Sequence, residues 1–349
     1  MKNLNLPVAF AAALTLLSCE GTLDTGYSPL PGSDAPTTLT VSLEDEFSCE
    51  TRATGQTEAN ETAVKSCQIF VFRTDNGMLD ASSYAGSLDG AGTYSVTLNC
   101  TAGARNIYAV VNADKDYTST VKDEASFKAL TTDLKDNAAD ALFMSGSASA
   151  TLTEGSCNVS VTVKRAAASI ILSKISVDMD AAVYQGSGMF KVSKVYLLNV
   201  CGRTDFTMSM KPSAVAVDYW YAKLKEETDT AKKKLISDDL SSPVTIANGA
   251  SSTKKYTYYA YPNDCAHSTS KTFSQRATLL VVEAKLDGET YYYPLKLDSL
   301  ESNKRYTITN LTIHRPGSKT PYVPVLFSTA SASITVAAWG EGSSSSVEI

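Results

Sequence analysis

Alternation of apolar and polar residues recurs along this 349-residue chain in ten or more short segments. In Cys157–Lys164 the alternation is unbroken, and Ala277–Leu286 and Thr290–Leu297 flank the turn dipeptide Asp287-Gly288. Side chains two positions apart share one face of a β-strand, and Asp-Gly between two such runs is a strong hairpin signal. The pattern therefore predicts a mainly β fold, arranged as two sandwich domains.

Seven further segments are rich in the β-branched and aromatic residues that strands favour. They are Ser66–Arg73, Thr93–Asn99, Ala104–Asn112, Ser169–Val177, Lys191–Val200, Lys304–His314 and Ser333–Trp339. Two segments have helical spacing instead. Phe127, Leu130 and Leu134 predict a helix over residues 124–134, and apolar positions from Trp220 to Leu235 predict a second one.

The N-terminus has the layout of a bacterial lipoprotein signal peptide. Val8–Leu17 is an apolar run too short to span a bilayer, and Leu16-Leu17-Ser18 leads directly to Cys19. Residues 1–18 are therefore predicted to be removed, and Cys19 is predicted to carry a lipid. The Gly-, Pro- and Ser-rich residues 20–36 have the composition of a tether.

A strand with one apolar face follows the tether. Its inward positions are predicted to be Leu39, Val41, Leu43 and Phe47. Behind it, Arg52 precedes Ala53 in a polar stretch without periodicity, where a protease has access to the backbone. A cut between these two residues would leave the strand held only by non-covalent contacts. Its departure would expose an apolar groove and an unpaired sheet edge, which recruit another strand.

The C-terminus offers a candidate for the incoming strand. Val347 and Ile349 alternate around a glutamate, behind the Gly- and Ser-rich residues 340–346. The segment Ile334–Trp339 also alternates and is a second candidate, although an ordinary core strand is the favoured interpretation of it. We expect the donor to begin after Trp339.

Net charge, cysteine spacing and histidine spacing argue against a nucleic-acid partner and against a metal or other cofactor. The net charge of −6 and a pI near 5.1 argue against a nucleic-acid partner. Five cysteines follow Arg52, an odd number without a CxxC spacing, and they are predicted to be small buried side chains that leave room for one disulfide: Cys67, Cys100, Cys157, Cys201 and Cys265. His267 and His314 are far apart, so neither a metal site nor another cofactor is predicted.

An ordered set of motifs resembles the FimA-type major fimbrillins, which are subunits of type V pili. The matching segments, in chain order, are Cys67–Phe72, Tyr108–Ala113, Phe127–Leu134, Val163–Ala168, Tyr291–Pro294, Asn303–Ile308, Leu311–Ile313 and Ile334–Trp339. The resemblance implies two transthyretin-like β-sandwich domains. It also implies a propeptide over 19–52, domains over 53–165 and 166–349, and a donor-strand tail over 340–349.

The same resemblance implies the biology of a pilin. The precursor would be displayed on the outer membrane through the lipid on Cys19, cut after Arg52 by an arginine-specific protease, and polymerised by donor-strand exchange. Its partners would be other copies of itself, related fimbrial subunits, and host or bacterial surface ligands. The five cysteines and the Ser-rich end depart from the family pattern, so the register of the donor segment stays open.

Three other functions compete with a structural fimbrial subunit, and the sequence does not separate a stalk subunit from a tip subunit. A fimbrial tip adhesin would share both the cut and the tail. A lipid-anchored glycan-binding protein would use an aromatic platform, for which the candidates are Tyr256, Tyr258, Tyr259 and Tyr291–Tyr293. Strand packing is the simpler interpretation of those tyrosines. No pair or motif points to an enzyme, so none is predicted.

Overall fold

The structure is a computed structural model that describes residues 35–45, 61–89, 94–186, 188–264, 277–297, 299–323, 325, 330–339 and 345–348. As predicted, the described chain is mainly β, with twenty-two strands and two α-helices of five and four residues. No helix within these ranges is long and apolar enough to cross a bilayer.

The N-terminal half is one seven-stranded sheet folded back on itself. Its strands are β1 Pro36–Asp45, β2 Cys67–Arg73, β3 Leu79–Ala85, β4 Ser95–Thr101, β5 Gly103–Val111, β7 Met144–Leu152 and β8 Gly155–Arg165, in the order β3-β2-β5-β7-β8-β1-β4. β7 and β8 share only two residue pairs, at Met144 and Ser145 of β7. The sheet bends there, and the leaf β3-β2-β5-β7 packs face to face on the leaf β8-β1-β4.

Gly146 permits that bend. A Cβ atom at this position would lie 2.0 Å from the carbonyl oxygen of Thr162 on β8, which no side chain tolerates. β7 was not predicted as a strand, because its sequence MSGSASATL lacks apolar alternation between its two ends. Small residues let β7 and β8 approach closely, but they leave no pattern in the sequence.

The C-terminal half contains two larger sheets. Its strands are β9 Ala168–Leu172, β10 Ile175–Val177, β11 Phe190–Leu198, β12 Val200–Cys201, β13 Arg203–Asp205, β14 Trp220–Tyr221, β15 Ser237–Ile246, β16 Ala250–Ser252, β17 Tyr256–Ala260, β18 Thr278–Leu286, β19 Glu289–Leu297, β20 Lys304–Ile313, β21 Ala330–Ala338 and β22 Ser345–Glu348. One sheet has the order β16-β10-β20-β21-β22, with β9 joining β20 to β17, and the other has the order β15-β11-β18-β19. The predicted hairpin β18–β19 turns at Asp287 and Gly288, both at positive φ.

The two halves share a hydrophobic core and a strand pairing. The outer face of β2 and β5 contributes Phe70, Phe72 and Tyr108 to the cluster that fills the C-terminal half. Phe206 of that half packs on Phe127, with ring centroids 6.0 Å apart. β6, Thr131–Asp133, pairs antiparallel with β13 across the same junction. The predicted domain boundary at 165/166 falls in the short link between β8 and β9.

Both predicted helices are much shorter than expected. α1 covers only Glu124–Lys128, and the rest of the predicted segment forms β6 and a 3₁₀ turn at Leu134–Asp136. In the second segment, Ala222 and Leu224 have positive φ, which a helix excludes, and α2 is confined to Thr230–Lys233. The helical spacing was misleading because only Phe127 reaches the core from an α-helix, whereas Leu134 and Leu235 reach it from a 3₁₀ turn and a turn.

Candidate functional site

β1 lies inside its sheet, between two strands that come from different parts of the chain. It pairs antiparallel with β4 over seven residues, from Pro36 to Ser42. It pairs parallel with β8 over nine residues, from Thr37 to Asp45. β4 and β8 do not pair with each other in the described sheet order, so β1 is the link between them. Its backbone groups are therefore satisfied on both sides.

One face of β1 is completely buried, as the alternation predicts. Leu39, Val41 and Leu43 are 0%, 1% and 5% exposed. They belong to the core between the two leaves, together with Ile69 and Ile107 of the opposite leaf. Burial of each side chain stabilises the fold by about 1.5–3 kcal/mol, as an upper bound.

The other face of β1 is polar and partly exposed. The hydroxyls of Thr40 and Thr97 lie 3.1 Å apart, and those of Ser42 and Ser95 lie 3.3 Å apart, in both cases across the β1–β4 pairing. Exposed hydroxyl pairs of this kind contribute little to stability compared with the buried face. The strand is thus held mainly by three apolar side chains and its backbone.

Thr37 forms a polar end to the buried face, which sequence reasoning missed. Its side chain is buried, and its Oγ1 donates a hydrogen bond to the carbonyl oxygen of Thr153, at 2.7 Å. A threonine at the start of an alternating strand carries no signal that its hydroxyl is inside. The interaction fixes the register of β1 against the turn that leads from β7 to β8.

Two cysteines flank β1, one on each neighbouring strand. Cys100 of β4 is paired with Thr37, and Cys157 of β8 is paired with Leu39. Burial raises the pKa of the Cys100 thiol to about 12. Hydrogen bonds with Thr153 lower the pKa of Cys157, which is only half-buried. The thiols therefore differ sharply in expected reactivity.

The described residues contain four cysteines, and no two of them are joined by a disulfide. They are Cys67, Cys100, Cys157 and Cys201. Only Cys157 of these four is not fully buried. Cys265 lies outside the described residues, so the structure gives no pairing for it.

The C-terminal tail forms a strand on the edge of its own half. The backbone of β22 pairs antiparallel with β21, with Val347 opposite Ile334 and Ser345 opposite Val336. β22 has no second neighbour in the described sheet order. Ile334 itself is a core residue, 6% exposed, so β21 behaves as a core strand of the second half.

Several predicted site residues cannot be placed. Cys19, Phe47, Arg52, Ala53 and Ile349 lie outside the described residues. The structure therefore brings together Leu39, Val41 and Leu43 in one buried row. It places the backbone of Val347 on β22, opposite Ile334 of β21. In the described sheet order, the tail strand β22 pairs with β21 and not with β1 of the same chain.

The proposed aromatic platform for glycans is wrong. Tyr256, Tyr258, Tyr259 and Tyr293 are between 0% and 3% exposed. Tyr291 and Tyr292 are partly buried and pack against the core. Since an aromatic platform must present ring faces to solvent, these tyrosines serve strand packing instead.

The sequence and the fold were compared with known protein families and solved structures, and both comparisons find fimbrial proteins. Residues 37–199 match the family model described as "Major fimbrial subunit protein (FimA)". No curated protein matches the sequence. The fold is similar to that of a fimbrilin from Porphyromonas gingivalis W83, with a TM-score of 0.60 and 20% identity over 86% of this chain and 97% of that one.

Two further structures share the fold. A Parabacteroides distasonis protein, whose description proposes a role in cell adhesion, has a TM-score of 0.62 and 18% identity over 88% of this chain and 100% of its own. The tip fimbrial protein Mfa3 from P. gingivalis, with a C-terminal truncation, has a TM-score of 0.52 and 14% identity over 87% and 100%. At these identities the likeness concerns the fold alone.

The family match over residues 37–199 and the shared fold are those of fimbrial structural subunits. The FimA-type fimbrillin expected from the sequence motifs agrees with the family match over residues 37–199, and the fold is similar to that of a solved fimbrilin. Members of this class assemble with related subunits in a fimbrium at the cell surface.

Proposed function

We propose that this chain is a structural subunit of a fimbria that loses β1 and receives a neighbour's C-terminal tail in its place. The observation that carries the proposal is the position of β1, central in its sheet and with one face entirely inside the core. Removing it leaves β4 and β8 with unpaired edges on either side of an apolar groove. A strand from another copy satisfies both edges and fills the groove.

Export as a lipoprotein would precede this exchange. Cys19 is the lipidation residue, and the lipid holds the precursor at the outer membrane until an arginine-specific protease cuts between Arg52 and Ala53. While β1 remains attached, its groove is filled and no neighbour can enter. The cut therefore separates export from polymerisation.

The described arginines near the N-terminus are poor alternatives to Arg52. Arg73 is the last residue of β2, and Arg105 lies within β5. Arg105 is 3% exposed and forms an ion pair with Asp80, at 2.8 Å. Proteases bind extended, accessible backbone, which strand residues in a sheet do not offer. Arg52 lies instead in a polar stretch without periodicity.

The tail is the proposed donor because it already forms a strand at an edge. Residues Ser345–Glu348 pair with β21 alone, so their release breaks one strand pairing. Val347 and Ile349 supply alternating apolar side chains for a neighbour's groove. Groove and tail are different surfaces of the same subunit, so the contact is head-to-tail and extends into a filament.

Replacing Arg52 with alanine tests the proposal. We expect Arg52→Ala to give a folded surface precursor that keeps β1 and forms no fibres under electron microscopy. Arg315→Ala is the matched control, because Arg315 is an exposed arginine in a surface ion pair with Asp180. It should be cut and should assemble like the unchanged protein. Fibres built from uncut Arg52→Ala subunits would refute the proposal.

A further inference from the structure

A buried carboxylate lies between the two halves of the molecule. Glu61 is the first described residue after the predicted cut, and it is 6% exposed. Its Oε1 accepts a hydrogen bond from the hydroxyl of Tyr259, at 2.7 Å. Its Oε2 accepts hydrogen bonds from Nη2 of Arg305, at 2.8 Å, and from Nε1 of Trp339, at 3.0 Å. Such a set of donors is what a buried charge requires.

Trp339 is the residue that directly precedes the tail, and both hydrogen bonds and ring contacts hold it. Besides the bond to Glu61, its backbone N–H donates to the carbonyl oxygen of Asn303, at 2.9 Å. Its ring is stacked on Tyr259, with centroids 5.9 Å apart. The guanidinium of Arg165 lies 4.6 Å from the ring centroid, in a cation–π arrangement.

Glu61 is itself fixed to the N-terminal half. Nε of Arg165, the last residue of β8, donates to the carbonyl oxygen of Glu61, at 2.9 Å. The side-chain amide of Asn112 then holds the following residues, donating to the carbonyl of Ala63 at 2.8 Å and accepting from the N–H of Lys65 at 2.8 Å. The start of the cut chain and the base of its tail are therefore joined at one buried point.

We propose that this anchor cluster, made up of Glu61, Arg165, Tyr259, Arg305 and Trp339, holds the base of the tail so that the tail can leave β21 without unravelling it. When β22 departs, β21 becomes an edge strand, and any pull on the tail reaches Trp339 first. The hydrogen bond from Trp339 to Glu61 transfers that pull to the N-terminal half. The role in a fibre rests on the proposed function, whereas the fixing of β21 does not.

Hydrogen–deuterium exchange of the full chain tests the anchor directly. Glu61→Gln keeps the size of the side chain but loses the charge that binds Arg305 and Trp339. We expect exchange in residues 330–339 to rise about tenfold or more, because a hydrogen bond to a charged group is lost. Tyr259→Phe removes a single hydroxyl, and we expect about a fivefold rise; it decides the question if Glu61→Gln does not fold.

Asp133→Asn is the control, since it breaks another buried ion pair at the same junction. Nη2 of Arg203 donates to Oδ2 of Asp133, at 2.9 Å, and neither residue belongs to the anchor cluster. Exchange in residues 330–339 should then stay within about twofold of the unchanged chain. Equal acceleration by Glu61→Gln and Asp133→Asn, or no acceleration by Glu61→Gln, would overturn the proposal.

Sheared fibres provide a second readout. Fibres of Glu61→Gln subunits should break under shear into shorter pieces than fibres of Asp133→Asn subunits, when their lengths are measured by electron microscopy. Equal lengths would overturn the mechanical role of the anchor cluster. If the unchanged protein forms no fibres, the proposed function fails, and the exchange experiment still decides whether Glu61 fixes β21.

Discussion

Individual side chains on β1 have opposite environments although they are adjacent in sequence. Val41 is 1% exposed in the core, while the hydroxyl of Ser42 lies beside that of Ser95 on the outer surface. A charge at the first position would be buried without a partner, whereas a charge at the second would be solvated. The two positions therefore form a matched pair for testing how β1 is held.

Val41→Asp should destabilise the uncut chain by about 3 kcal/mol or more, because an unpaired carboxylate would enter the core. Ser42→Asp should change the free energy of unfolding by about 0.5 kcal/mol. Urea unfolding of both precursors measures the difference. Similar stabilities for the two variants would show that β1 is not packed as described.

Thiol reactivity should reveal whether β1 is in place. Burial raises the pKa of Cys67 and of Cys100 to about 12, so neither has an appreciable thiolate population at pH 8. Cys157 is half-buried and its pKa is lowered, so iodoacetamide should modify it before the other described cysteines of the uncut chain. After β1 has left and before a donor enters, Cys100 should also react.

Mass spectrometry of alkylated peptides measures each site separately. Fast modification of Cys100 in the uncut chain would contradict the burial of β1. Continued protection of Cys100 in a cut monomer that has lost residues 36–45 would contradict the open groove.

Among the elements, strands were predictable where alternation and turn chemistry agreed. β8 and the hairpin β18–β19 were placed within one or two residues, because each has a clean two-residue period and the hairpin has an Asp-Gly turn. β7 was missed because it is built from small residues that serve a close approach to β8. The predicted helices failed because pairing of β6 with β13 and positive φ at Leu224 override the apolar spacing.

Deleting Ser343–Ile349 should give a folded, processed subunit that forms no fibres. The deletion removes β22, which pairs only with β21, and it leaves Ile334 and Trp339 in the core. Circular dichroism, size exclusion and electron microscopy measure folding, oligomeric state and fibres. Long filaments from the truncated subunit would place the donor elsewhere, with Ile334–Trp339 as the remaining candidate.

Across the whole molecule, the junction between the halves could not be predicted. Glu61 and Trp339 are 278 positions apart, and nothing in the sequence near either residue indicates a partner. Phe206 likewise contacts Phe127 and Phe143 of the other half only through the tertiary fold. Sequence patterns report which face of an element is buried, but not which distant polar group it meets.

This shared core predicts that the two halves unfold together. Phe206→Ala should destabilise both halves by about 3–5 kcal/mol, because it leaves a cavity at their junction. Denaturant-dependent hydrogen exchange, read on peptides from β5 and from β18, measures each half separately. A loss of protection confined to the β18 peptides would show that the halves are energetically independent.

Strand exchange means that the assembled subunit has lost β1 and holds a neighbour's strand in its place. Its most direct test is the mapping, by mass spectrometry, of the N-terminus and peptide content of subunits taken from purified fibres. We expect an N-terminus at Ala53 and no peptide covering β1, Pro36–Asp45. Fibres whose subunits begin at Cys19 and retain Leu39, Val41 and Leu43 would contradict it.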